Sequence, residues 1–197
     1  MNFLAHLYLS GSDNEILMGN FIADSVKGKK AILQFPEKVQ KGIIIHRDID
    51  FFMDTHPLVK DGMSRLREKY PKFSGVIMDI FYDHFLAKNW SNYSSSLLVD
   101  YTNDVYSTVD NHKDLLVGKS KMMFPYMKRD NWLLSYESIN GIESILKRMT
   151  NRINNIVHLH ESVNELQLFY NEYDNEFELF FKDIMDFVGN KYNITLK

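Results

Sequence analysis

The chain has 197 residues, 45% hydrophobic and 25% charged, with a net charge of −3. This balance excludes wholesale disorder and argues against a general nucleic-acid binder, which would be clearly basic. With no cysteine, a disulfide scaffold, a thiolate zinc site and a cysteine nucleophile are excluded, so any metal must be held by His and carboxylates.

Only 4 Pro and 9 Gly are present, which leaves room for long helices. A helical pattern at 13–24 comes first. Residues 36–54 form the next element: Pro36 suits the first helical position, and Val39, Ile43, His46, Ile49, Asp50 and Met53 share one face. Pro57 biases His56 away from helical geometry, so this helix stops near Asp54. Shorter patterns follow at 58–69, 94–110 and 138–152. Between them a helix spans about Ser74 to Trp90, with an inner stripe of Ile77, Ile80, Phe81, His84 and Phe85. The last element is one long helix over 160–188, with Val163, Leu166, Tyr170, Tyr173, Phe177, Phe181, Ile184 and Val188 at helical spacing. No period-2 strand pattern stands out. The fold class is all-α, one domain over residues 1–197. No run of about 18 apolar residues exists. The first ten residues lack the basic start of a signal peptide, so a cytoplasmic protein is expected.

Charge is distributed unevenly. Lys27, Lys29, Lys30, Lys38, Lys41 and Arg47 against Glu37 give +5 over residues 27–47, whereas residues 161–186 sum to −7. A basic edge of this kind can meet an acidic partner even when the whole protein is acidic. The plainer reading is that both runs are solvated faces.

Polar groups interrupt the apolar faces. His46 and Asp50 lie four apart on the inner face of the 36–54 helix, and Asp54 continues the row. His84 sits in the 74–90 stripe beside Asp83, with Asp79 one turn earlier. His6 and Asp24 stand in equally apolar surroundings. Burying such groups costs several kcal/mol unless hydrogen bonds or a cation compensate. Each residue alone has a structural reading: a core histidine bonded to a carbonyl, a cap at Asp24, a bracing pair at His46 and Asp50. Together, inward His and Asp groups on several helices favour a metal site. His112, His158 and His160 lie in polar stretches and read as surface.

Four motifs in order carry a specific resemblance. These are Met1-Asn-Phe-Leu-Ala-His6-Leu, Gly19-Asn-Phe-Ile-Ala-Asp24-Ser-Val-Lys-Gly28, Gly42-Ile-Ile-Ile-His46-Arg47-Asp48-Ile-Asp50 and Tyr82-Asp83-His84-Phe-Leu-Ala87-Lys-Asn-Trp90. With them the chain closely resembles the bacterial acyl carrier protein phosphodiesterases, and the likeness extends weakly through Trp132, Tyr136 and Leu146 to the final helix. That family is similar to the HD phosphohydrolases, which are all-helical and metal-dependent. The resemblance implies a phosphoric diester hydrolase that removes 4′-phosphopantetheine from holo acyl carrier protein, leaving the apo carrier protein, with manganese supporting the reaction. The sequence departs from the HD pattern, because the expected His-Asp dyad reads His46-Arg47 and the reverse order appears at Asp83-His84.

The resemblance implies a divalent ion, Mn2+ with Mg2+ or Fe2+ as alternatives, held directly or indirectly by His6, Asp24, His46, Asp50, Asp83 and His84. From the chemistry of the residues themselves, Arg47, with Lys27 as a weaker candidate, is expected to approach the phosphate and His56 to protonate the leaving serine oxygen. Holo acyl carrier protein is then the partner, met by Lys29, Lys30, Lys38 and Lys41; neither nucleic acid nor membrane is expected. Two other readings stay open: a metal phosphohydrolase acting on a small phosphate ester or nucleotide, and a non-catalytic binding protein with a structural His/Asp network.

Overall fold

A computed structural model describes residues 2–152 and 157–196, and within them all regular structure is helical. The elements are α1 (Phe3–Tyr8), α2 (Asn14–Ile22), α3 (Lys29–Ile32), α4 (Glu37–Thr55), α5 (Pro57–Arg67), α6 (Ser74–Lys88), α7 (Leu98–Asn111), α8 (Gly118–Arg129), α9 (Trp132–Ser135), α10 (Ile139–Arg152), α11 (Val163–Leu168) and α12 (Tyr170–Tyr192). A 3-10 turn at Ala23–Ser25 follows α2 directly. The all-α expectation therefore holds. No described helix is long and apolar enough to cross a membrane.

Local chemistry sets most boundaries. Asp13 caps α2 by accepting from the backbone N–H groups of Glu15 and Ile16. Pro36 stands one residue before α4 rather than inside it, with an extended ψ of 153°. His56 is extended, as its proline neighbour requires, and Pro57 opens α5. The expected helix at 74–90 ends at Lys88, and Trp90 begins a separate 3-10 turn. The long 160–188 helix is interrupted: α11 ends and α12 begins at Phe169, whose φ of −113° and ψ of 32° break the helix. The apolar spacing runs through this break without a change of phase, so periodicity alone does not reveal it. Helix α8 contains Pro125, which reads in sequence as a breaker and hides the element.

The core is a continuous cluster in which α6 is central. Its residues from Ile80 to Ala87 are all buried. Around it pack the aromatic stripe of α12, with Tyr173, Phe177 and Phe181 fully buried, and the inner faces of α1, α5 and α10. Helices α2 and α4 approach especially closely along their length. A Cβ added at Gly42 would lie 2.1 Å from the Ile16 carbonyl oxygen, and one added at Gly19 would lie 2.1 Å from that of Val39. Only glycine allows the backbones to come so near. Asn20, on α2, and His46, on α4, are thereby held across this contact.

Candidate functional site

The site is assembled from α1, α2, the turn after it, and α4. His6 comes from α1, a helix of only six residues that needs help to form. Asp83 on α6 gives that help. Its carboxylate accepts from the N–H groups of Leu4 at 2.7 Å and Ala5 at 3.3 Å, satisfying donors at the start of α1. His6 follows and points into a cavity of about 310 Å3, whose walls include Asn20, Asp24, His46, Asp50, Asp54 and Asp79.

Hydrogen bonding fixes the tautomer of His46. The Asn20 side-chain amide, 1% exposed, donates to the His6 carbonyl at 2.7 Å and to Ser10 Oγ at 3.0 Å. A carbonyl only accepts, so the nitrogen of Asn20 faces His6 and its oxygen faces His46 Nδ1 at 2.9 Å. His46 Nδ1 therefore carries a proton, and when the ring is neutral Nε2 presents a lone pair. That lone pair faces Asp24 Oδ1 at 3.4 Å and Asp50 Oδ2 at 3.3 Å. A lone pair against two carboxylates is repulsive unless a proton or a cation lies between them.

His6 completes the group. Its Nε2 is 3.1 Å from Asp50 Oδ1, its ring stacks on that of His46 with centroids 3.9 Å apart, and its buried Nδ1 has no hydrogen-bond partner. Burial, and next the charge that His46 carries when protonated, push its pKa down to about 3, so the ring is neutral. Burial works to raise the Asp50 carboxyl, but the hydrogen bond from His6, joined by the charge of that ring when it is protonated, prevails and holds it well below the usual carboxylate range. Asp24 is lowered chiefly by a hydrogen bond with His46, an attraction that requires a proton on Nε2 and so belongs to the protonated His46 ring. Burial raises the carboxyl of Asp79. One donor atom from each of His6, His46 and Asp50 lies within 4.8 Å of the others, and Asp24 stands beside them. Two imidazoles and carboxylates form a donor set that suits a divalent ion such as Mn2+, Fe2+ or Mg2+.

The structure thus brings together His6, Asp24, His46 and Asp50, and separates the other expected residues from them. Asp83 stands apart from the cluster because both its oxygens are committed to the start of α1; burial, set against those amide bonds, raises it to about 7. His84 faces the other way. Its Nδ1 donates to the Tyr136 carbonyl at 2.7 Å and its Nε2 accepts from the Tyr170 hydroxyl at 2.8 Å, so the ring braces α6 against α9 and α12. His56 lies at the end of α4, tilted against Phe52 and edge-on to Phe180 with Nε2 3.3 Å from Asp183, outside the cavity. Arg47 donates to the Val26 carbonyl at 2.7 Å. Lys27 is exposed on the segment beyond the turn and is not among the cavity walls.

The lining residues outside the expected set include Asp54, Asp79 and Asn20. Asp54 and Asp79 were signalled by helical spacing, one turn from Asp50 and Asp83. Asn20 was not; its signal is a lone amide inside the apolar run Leu17-Met18-Gly19-Asn20-Phe21-Ile22.

Residues 1–184 match the family described as acyl carrier protein phosphodiesterase. A protein of that name from Photorhabdus laumondii is 31% identical over 192 residues, covering 97% of this chain and 96% of its own. Another from Yersinia pestis is 30% identical over 186 residues, covering 94% and 96%. A third from Escherichia coli O6:H1 is 29% identical over 196 residues, covering 97% and 99%. No solved structure matches the chain.

Proposed function

Because the chain belongs to the acyl carrier protein phosphodiesterase family, we propose that its own reaction is hydrolysis of the phosphodiester linking 4′-phosphopantetheine to a serine of the carrier protein, and that it requires a divalent cation. One observation carries the cation. Among the described residues, Asp24, Asp50, Asp54 and Asp79 line the cavity and no Lys or Arg does. Such a wall repels an anionic phosphodiester until positive charge is added. In the neutral His46 ring Asn20 holds the single proton at Nδ1, so Nε2 offers a ligand atom that faces two carboxylates and needs a cation or a second proton between them.

His6, His46, Asp50 and Asp24 would hold the ion. When bound, it neutralises the phosphoryl oxygens and makes water a better nucleophile near neutral pH. Asn20 keeps the imidazole of His46 in the ligating tautomer. Asp54, exposed at the rim, accepts the proton that the attacking water loses. The bond between phosphorus and the serine oxygen breaks, and that oxygen takes up a proton. Asp79 suits its delivery, since burial raises its carboxyl and it lines the cavity. Phe3, Leu7 and Phe21 form the apolar part of the wall and limit water around the reacting phosphate.

The carrier protein is acidic, and the basic edge is its natural docking surface. The structure narrows that edge. Lys38 is paired with Asp13 at 2.8 Å, and Lys41 donates to the Tyr192 carbonyl at 2.9 Å. Lys27, Lys29 and Lys30 are exposed just beyond the turn that carries Asp24.

The test is a mass spectrum of holo acyl carrier protein incubated with the protein and Mn2+, beside a chelator control and a His46→Ala, Asp50→Ala double variant. Loss of the phosphopantetheine mass only with Mn2+ and only with the native residues is expected. An intact carrier protein after incubation with Mn2+-loaded protein overturns the reading.

A further inference from the structure

A second cavity, of about 290 Å3, adjoins the first and shares Asn2, Phe3, Phe21, Asp24 and Asp79 with it. It extends away from the His/Asp cluster between α6, α8 and α10. Its far walls are mainly apolar, from Val76, Met123, Trp132, Ile145 and Met149. Arg148 stands among them. Its guanidinium lies over the Trp132 ring, 5.3 Å from the centroid. Its Nη2 is buried and has no hydrogen-bond partner among the described residues. Asp130, the carboxylate close enough to sense its charge, is engaged in two hydrogen bonds by Arg129.

A buried donor with nothing to donate to is costly, and it marks where an acceptor belongs. The cavity therefore fits a ligand that is mostly alkyl, carries a neutral oxygen acceptor some way along, and ends at the His/Asp cluster. Lys119 is the other cationic residue of this lining. Resting on the function proposed above, the substrate has two sides at phosphorus. One is a folded protein, too large to enter. The other is a slender arm with a dimethyl-substituted carbon, a hydroxyl and two amide carbonyls.

We propose that this second cavity binds the pantetheine arm, with Arg148 donating to an amide carbonyl and Trp132 packing against its alkyl part. Arg148 is then a specificity-determining residue, selecting phosphodiesters that carry an amide-bearing chain over bare ones. It acts by recognition of the arm and not at the phosphate.

The test uses free pantetheine, which has no phosphate, as the probe. Trp132 reports on the cavity, whereas Trp90 is buried elsewhere against Tyr8 and Tyr101. Pantetheine should change the tryptophan emission of the wild type saturably. In Arg148→Met its affinity should fall about tenfold, the loss expected of one charge-assisted hydrogen bond. The same substitution should raise KM for holo acyl carrier protein by a similar factor, with a smaller change in kcat. Val76→Phe, which narrows the cavity from α6 without touching Arg148, should also raise KM. Thermal melts show whether each variant is folded.

If the wild type releases phosphopantetheine while pantetheine leaves the emission unchanged and both folded variants keep the native KM, the arm lies elsewhere and only this inference falls. If the wild type releases none, the proposed reaction falls and takes this inference with it.

Discussion

Asn20→Ala tests the claim that one buried amide sets both the stability of the site and its readiness for a cation. The substitution removes bonds of 2.7 Å to the His6 carbonyl, 3.0 Å to Ser10 Oγ and 2.9 Å to His46 Nδ1. At about 1 kcal/mol for each buried bond, the loss is about 3 kcal/mol. Ser10 still donates to the His6 carbonyl at 2.9 Å, so that acceptor is not orphaned. The His46 Nδ1 proton is. It can move to Nε2, where Asp24 and Asp50 accept it, and there it occupies the lone pair that would ligate a metal. For a domain of this size the stability loss lowers Tm by about 6–12 °C, measurable by calorimetry. Mn2+ affinity, measured by isothermal titration, should fall by about 10–100-fold. Asn20→Asp separates the two effects. It loses the donors to His6 and Ser10 but keeps an acceptor for Nδ1, so Tm falls while Mn2+ affinity is largely retained. A Tm within 2 °C of wild type for Asn20→Ala would refute the hydrogen-bond argument. An unchanged Mn2+ affinity in a destabilised Asn20→Ala would refute the tautomer argument.

Three further outcomes follow from the same geometry. Gly42→Ala places a Cβ 2.1 Å from a backbone oxygen that cannot rotate away, so α2 and α4 must part. A loss of about 3 kcal/mol or more is expected in urea unfolding, whereas Gly75→Ala, whose nearest neighbour is 3.8 Å away, should be neutral or slightly stabilising; equal effects at the two positions would refute the close-approach argument. The Asp83 carboxyl is raised to about 7 by burial, so between pH 4 and 7 the folded state holds a proton that the unfolded state has released. This contribution to stability is present at low pH and diminishes as pH rises through that window. The urea midpoint of wild type, measured relative to Asp83→Asn, should therefore fall from pH 4 to 7, and a constant difference sinks the assignment. Reversing Lys29 and Lys30 to Glu should raise KM for holo acyl carrier protein several-fold and flatten its salt dependence without changing Mn2+ binding; native KM at low salt would remove this edge from the docking surface.

How far the site could be read from sequence depends on where each partner lies. His46 and Asp50 are one helical turn apart, so their shared face follows from spacing alone, and Asp54 follows by the same rule. His6 and Asp24 stand out because each interrupts an apolar segment. The same signal also picks out His84 and Asp83, which the structure uses differently. The partners of His84 are a backbone carbonyl at Tyr136 and a hydroxyl at Tyr170, 52 and 86 residues away. The partners of Asp83 are backbone N–H groups of Leu4 and Ala5, 79 and 78 residues away. Backbone groups have no residue type, so no pattern of side chains could announce them. The break at Phe169 was hidden for a related reason: the apolar stripe keeps its phase across it. The helices themselves followed hydrophobic spacing, except where they were short, as at α1, α3 and α9, or held a proline, as at α8.

The glycines tie these observations together. Gly19 precedes Asn20, and Gly42 precedes His46 by one turn, so each glycine lies beside a polar group of the site. Reading them as breakers inside helices would lower confidence in both elements. Their use is the opposite: they let two helices touch backbone to backbone. At an ordinary interhelical distance of about 8–10 Å, an amide as short as Asn20 could not reach His46 Nδ1 while also donating to the His6 carbonyl. Without that triple contact the tautomer of His46 would be free, and the carboxylates around it would draw the proton to Nε2. The order of cause therefore runs from two missing side chains to a helix separation, from that separation to a hydrogen bond, and from the hydrogen bond to an exposed lone pair. The acidic cavity can then be neutralised by a cation at a defined place rather than by a proton, and a cation, unlike a proton, leaves coordination positions open to an anionic substrate.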